Sequence, residues 1–226
     1  MKQATVHIEK LEGSREKVII SLPDGDIECI FHSAGRDKGI IWLCGALGGL
    51  DGPSFGIFRI LSQQMVADGF SSLRLHYRHP GNFEDCVQDV LAGIDFLRER
   101  GVNNVALVGH SFGGAVAIQA GTMSQNVKAV VGLSSQTYGA QNVAILSPRP
   151  LLLIHGERDR NLSAECSSLI YKWANEPKEL YILKDNGHFL REAHGELLIQ
   201  LRDWLLDKIA KYEISLHKDT DTPVSG

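Results

Sequence analysis

The sequence predicts an α/β fold: a mostly parallel central sheet with helices on both faces and an antiparallel N-terminal start. Three observations carry this reading. From Gly39 onward, short uninterrupted apolar runs recur, as strands buried on both faces require. Between them lie segments whose apolar residues sit three and four apart, the spacing of helices with one buried stripe. Before Gly39 the pattern differs, because β-branched and apolar residues from Val6 through Ile20 to Phe31 are broken by Pro23-Asp24-Gly25, which has the chemistry of a tight turn.

The expected strands are 40–43, 73–75, 105–108, 129–131, 151–154 and 180–183. The segment 83–100 places Val87, Val90, Leu91, Ile94 and Leu97 on one helical stripe and leaves its other face charged. A last helix carries Leu197, Leu198, Leu201, Trp204, Leu205 and Ile209, with Lys208 and Lys211 near its end, where the helix dipole favours cations. The stretch 217–226 is polar apart from Val224 and is expected to be a flexible tail. With neither an internal repeat nor a linker, residues 1–216 are expected to form one domain. The segment 134–150 is too short to hold a separate helical lid.

Composition narrows the function. The chain has 226 residues and a formal net charge of −4, and no run of Lys or Arg long enough to track a phosphate backbone, so no nucleic-acid partner is expected. The N-terminus lacks the apolar run of about 7 to 15 residues that a secretory signal needs. Apolar stretches fall well short of the roughly 18 residues of a membrane span, so a cytoplasmic location away from membranes is expected. Cys29, Cys44, Cys86 and Cys166 are scattered, with no CxxC pair and no neighbouring His at a ligand spacing, and are read as reduced thiols without a metal. Gly45 to Gly52 is glycine-rich but contains neither GxGxxG nor a GK[ST] ending, so no nucleotide site is expected.

The chemistry centres on Gly109-His110-Ser111-Phe112-Gly113-Gly114, directly after the strand 105–108 and before the helix-forming Ala115 to Ile118. A GxSxG between strand and helix forces a turn so sharp that the serine is strained and its hydroxyl exposed. The helix start also presents the backbone N–H of Phe112 to an oxyanion. A serine hydroxyl needs a base to become a nucleophile near neutral pH, and the base needs an orienting carboxylate. Both follow at strand ends, in the order expected for such a site: 151–154 runs into His155-Gly156-Glu157-Arg158-Asp159, and 180–183 into Asp185-Asn186-Gly187-His188-Phe189. Glu157 is the rival for the acid and His194 for the base, with His194 read as solvated. His110 is assigned to packing or to a hydrogen bond with the loop, and Arg78 to a structural ion pair.

Together these three ordered motifs resemble the α/β-hydrolase family over about Gly39 to Lys211, and within it the small, capless serine esterases or dienelactone-hydrolase-like proteins. The resemblance implies a triad of Ser111, Asp159 and His188 acting through an acyl-enzyme, with no cofactor and no metal. In place of the family's usual His-Gly pair stands Cys44-Gly45. The oxyanion hole uses backbone, so Ala46 or Leu47 can still donate, and Ala46 is preferred beside Phe112. Leu47, Tyr138 and Phe189 are the candidate substrate contacts. The expected partner is a small-molecule ester or thioester. Two alternatives stay open: a receptor or interaction module with little turnover, and an amide, peptide or C–C bond hydrolase on the same triad.

Overall fold

A computed structural model describes residues 4–35 and 37–218, with side chains described as far as 209. Nine strands of the described residues form one sheet: β1 (Thr5–Lys10), β2 (Arg15–Leu22), β3 (Gly25–His32), β4 (Lys38–Leu43), β5 (Phe70–His76), β6 (Asn104–His110), β7 (Val127–Leu133), β8 (Leu151–Gly156) and β9 (Lys178–Leu183). Their order across the sheet is β1-β2-β3-β5-β4-β6-β7-β8-β9. The expected antiparallel start is present: Leu22 pairs with Gly25, which leaves Pro23 and Asp24 as the turn. The antiparallel pairing continues through β3 to β5, and from β5 onward all neighbours are parallel.

Among the described residues five helices cover the sheet: α1 (Ile57–Ala67), α2 (Phe83–Glu99), α3 (Phe112–Met123), α4 (Glu165–Trp173) and α5 (His194–Lys218). Strand side chains alternate between faces, which creates two apolar layers. Leu43, Leu73, Leu75 and Leu107 pack with α2 and α3 on one side. Ile40, Trp42, Ala106 and Val108 pack with α1 and α5 on the other. Helix α2 starts where the sequence supplies a cap: the Asn82 side chain accepts the Asp85 N–H at 3.3 Å, with Glu84 and Asp85 in the first turn.

Two helices escaped the periodicity. Both α1 and α4 begin without a side-chain cap, at Gly56 and Ala164, so no start signal marks them. Helix α5 reaches Lys218, into the first residues of the expected tail, and 219–226 lie outside the described residues. No helix among the described residues is long and apolar enough to cross a membrane.

Candidate active site

The parallel strands end on one edge, and the loops there bring the motif residues together, as open α/β sheets do at the carboxyl ends of their strands. Ser111 lies between β6 and α3 with φ 58° and ψ −120°, a conformation that a non-glycine residue holds only under constraint. The constraint is close backbone packing. A Cβ on Gly109 would sit 2.0 Å from the Gly113 carbonyl oxygen, and one on Gly113 would sit 2.2 Å from the Cys44 carbonyl oxygen. Only glycine fits at either position. The Ser111 N–H donates to the Leu133 carbonyl at 2.8 Å, tying the turn to β7.

A cavity of about 530 Å³ opens beside Ser111, lined by the continuous loop from Cys44 to Pro53 and by His110, Asn161, His188 and Phe189. Ala46 and Leu47 are therefore in its wall. Gly45 is close enough that a Cβ there would lie 3.6 Å from the Ser111 Cβ. Phe112 opens α3, so its N–H has no carbonyl within the helix. Its ring is buried, edge-on to Tyr77 and Phe83. Of the expected substrate contacts, Leu47 and Phe189 line the cavity, whereas Tyr138 lies outside it, edge-on to Phe83.

His188 Nδ1 donates to Asp159 Oδ2 at 2.7 Å, which leaves Nε2 as the basic nitrogen. The Asp159 side chain is fully buried. Burial alone raises a carboxyl pKa, but the backbone N–H of Leu162, the His188 imidazole and the N–H of Asn161 outweigh it and hold Asp159 below its ordinary value. A second imidazole completes the shell: His155 Nε2 donates to Asp159 Oδ2 at 3.1 Å and to the Leu162 carbonyl at 3.0 Å, while its Nδ1 accepts from Ser167 Oγ at 2.7 Å. Burial lowers the His155 pKa and keeps this ring neutral. His155 stands in the strand-end motif His155-Gly156-Glu157-Arg158-Asp159, and the local sequence assigns it no role.

The rivals are placed elsewhere. Glu157 is exposed and accepts the Asp185 N–H at 3.4 Å; the imidazole is held by Asp159. His110 donates from Nε2 to the His188 carbonyl at 3.0 Å, and burial lowers its pKa to about 4, so it acts as a neutral prop, as expected. Arg78 pairs with Asp89 at 2.5 Å and with Asp24 in the hairpin turn, the structural ion pair anticipated. His194 corrects its reading. It is half-buried, with Nδ1 3.0 Å from Ser54 Oγ and its ring edge-on to Phe55, because the loop before α1 folds over the start of α5. Cys44 is buried at the cavity wall, where burial raises its thiol to about 11, so it stays protonated. Asn161 and Ser54 were missed, and neither carries a local motif.

Known proteins agree with this architecture. The family model described as "Serine aminopeptidase, S33" matches residues 68–149, which hold β5 to β7 and Ser111. The uncharacterized protein YfhR of Escherichia coli K12 is 35% identical over 81 residues, covering 34% of this chain and 28% of that protein, so the match spans well under half of the relative. Among solved structures, Est1E from Butyrivibrio proteoclasticus superimposes with a TM-score of 0.76 at 15% identity, covering 86% of this chain and 99% of that one. A dienelactone hydrolase from Anabaena variabilis gives 0.72 at 15%, covering 87% and 100%. An alpha-beta serine hydrolase homologue from Coxiella burnetii gives 0.66 at 22%, covering 88% and 99%. With its strand order, its strained serine turn and these superpositions in agreement, the chain has the α/β-hydrolase fold.

Proposed function

We propose that the protein is a serine hydrolase that cleaves a carboxylic ester or thioester through an acyl-enzyme on Ser111. The observation that carries this reading is the Asp159–His188 hydrogen bond of 2.7 Å beside a cavity that also holds the strained Ser111. His188 Nε2 takes the Ser111 proton as Oγ attacks the carbonyl carbon, and Asp159 fixes the tautomer and balances the imidazolium. The N–H groups of Phe112 and Ala46 receive the oxyanion. His188 then protonates the leaving oxygen or sulfur, and water repeats the sequence to release the acid. No cofactor enters this scheme. The cavity, with Leu47 and Phe189 in its wall and Tyr138 outside, suits a small or medium acyl group with an apolar part. The four free cysteines suit the reducing cytoplasm.

The matched aminopeptidase model favours including amides in the first assay. A panel of p-nitrophenyl esters of increasing chain length, thioesters and amino-acid anilides is expected to show turnover concentrated in the esters or thioesters. Ser111→Ala is expected to lose both labelling by a fluorophosphonate and at least about 10³-fold in kcat. Labelling that persists in that variant would place the nucleophile elsewhere. A panel with no turnover beside intact labelling would favour a binding module.

A further inference from the structure

The loop that lines the cavity and the loop that carries His188 are hydrogen-bonded to each other through Ser54. It directly follows the cavity wall that ends at Pro53, and it is 1% exposed. Its backbone N–H donates to the Phe189 carbonyl at 2.9 Å and its Oγ donates to the Leu190 carbonyl at 3.0 Å. These are the two carbonyls that follow His188 in the chain. Oγ has a single hydrogen, already committed to Leu190, so at 3.0 Å it accepts from Nδ1 of His194. Both functions of the hydroxyl are used.

The backbone around this junction is contorted on both sides. Ser54 and Phe55 hold φ values of 47° and 57°, followed by Gly56 at 84°, and Leu190 holds 53°. Left-handed non-glycine residues persist where the surroundings over-determine them. Leu190 is fully buried, so its carbonyl has no route to bulk water once Oγ is removed. Above the junction, Arg191 lies 5.7 Å from the centroid of Phe55 and 5.1 Å from that of Phe189, a second and more exposed tie between the same loops.

We propose that Ser54 is a positioning residue that holds the His188 loop in register with the Cys44–Pro53 loop, so that the base and the oxyanion donors meet one carbonyl. It touches no reacting atom and acts through the main chain of Phe189 and Leu190. The proposal rests on the reading of Ser111, Asp159 and His188 as nucleophile, orienter and base. Its chemical consequence is specific. His188 must first remove the Ser111 proton and then deliver it to the leaving group, and an alkoxide leaving group needs that proton far more than p-nitrophenolate does.

Ser54→Gly is the variant of choice, since glycine accepts the left-handed backbone and keeps the N–H while losing the hydroxyl. The expected result is a fall in kcat of about 10- to 100-fold on a simple alkyl ester, a several-fold smaller fall on the matching p-nitrophenyl ester, and KM within about twofold on both. His194→Phe keeps the ring against Phe55, removes the donor to Oγ, and is expected to give a smaller loss of the same pattern. It also serves where Ser54→Gly does not accumulate as folded protein. Unchanged kcat in folded Ser54→Gly, or equal losses on both esters, would overturn the proposal. The test separates from that of the underlying reading: full turnover in Ser111→Ala breaks the reading itself, whereas an inactive Ser111→Ala beside a fully active Ser54→Gly breaks this inference alone.

Discussion

The two sides of Ser111 are built on opposite terms. Behind it, Asp159 has no exposed side-chain surface, and both of its oxygens are occupied, Oδ1 by two backbone N–H groups and Oδ2 by two imidazoles. In front of it, in the cavity wall, Leu47 is 93% exposed and Phe189 is 44% exposed. A saturated buried carboxylate permits one geometry and one charge state, because any unpaired lone pair there is costly. An exposed apolar side chain permits many rotamers at little cost. On the proposed reading the buried side holds the reaction type and the rim the choice of substrate, and the two sides are expected to respond differently to substitution.

The largest effect expected from breaking the buried side is that of Asp159→Asn, which preserves shape but removes the charge that fixes the His188 tautomer. A fall in kcat of about 10³-fold is expected, with KM little changed, in steady-state ester hydrolysis. A loss below about tenfold would show that the imidazole is oriented by something other than Asp159.

Proton uptake gives the next effect. Burial holds His110 at about 4 and lowers His155 as well, whereas an unfolded histidine titrates near about 6.5. Between these values the unfolded chain binds more protons than the folded one, so stability rises with pH there. It is complete above about pH 6.5 and is lost as the pH falls toward about 4. Thermal unfolding followed by circular dichroism is expected to show a midpoint lower by about 5 °C or more at pH 4.5 than at pH 7. His110→Gln, which retains a donor for the His188 carbonyl, is expected to flatten part of that slope. A midpoint independent of pH over this range would contradict the neutral, buried state of these rings.

The smallest effects belong to the rim. Leu47→Ala is expected to change KM by about two- to fivefold, more for long than for short acyl chains, whereas Tyr138→Ala, outside the cavity, is expected to leave KM unchanged, and both are expected to keep the melting midpoint within about 1 °C. A loss of kcat in Leu47→Ala that equals the loss in Asp159→Asn would erase the distinction between the two sides.

The same division explains what could be read from the chain. Strands β4, β6, β7 and β8 announce themselves because strands buried on both faces are near-continuous apolar runs, and Ser111 and Asp159 are legible because each follows such a run, whereas His188 follows β9, an edge strand with Tyr181 and Ile182 exposed, and is legible by its Gly-His motif. Arg78 and His110 were correctly assigned as supports. Helices α1 and α4 were not legible, for want of a cap to mark their starts. Nor was Ser54, whose partner carbonyl lies 136 residues away, a pairing that no local spacing encodes. His155 sat in a recognised motif, yet its hydrogen bond to Asp159 depends on the curl of the chain from Gly156 to Leu162. His194 was misjudged for the same reason, since its neighbours Ser54 and Phe55 come from the opposite end of the sequence.

The backbone of Ser111 has a consequence for how this protein can change. A φ of 58° at a non-glycine residue makes the native state locally less favourable than a glycine there would, by roughly 1 kcal/mol. If Ser111 is the nucleophile, as proposed, Ser111→Gly would relax this backbone only by ending turnover. Stabilising substitutions compatible with turnover have to be sought far from the turn, in the apolar layers between helices and sheet or at the uncapped starts of α1 and α4.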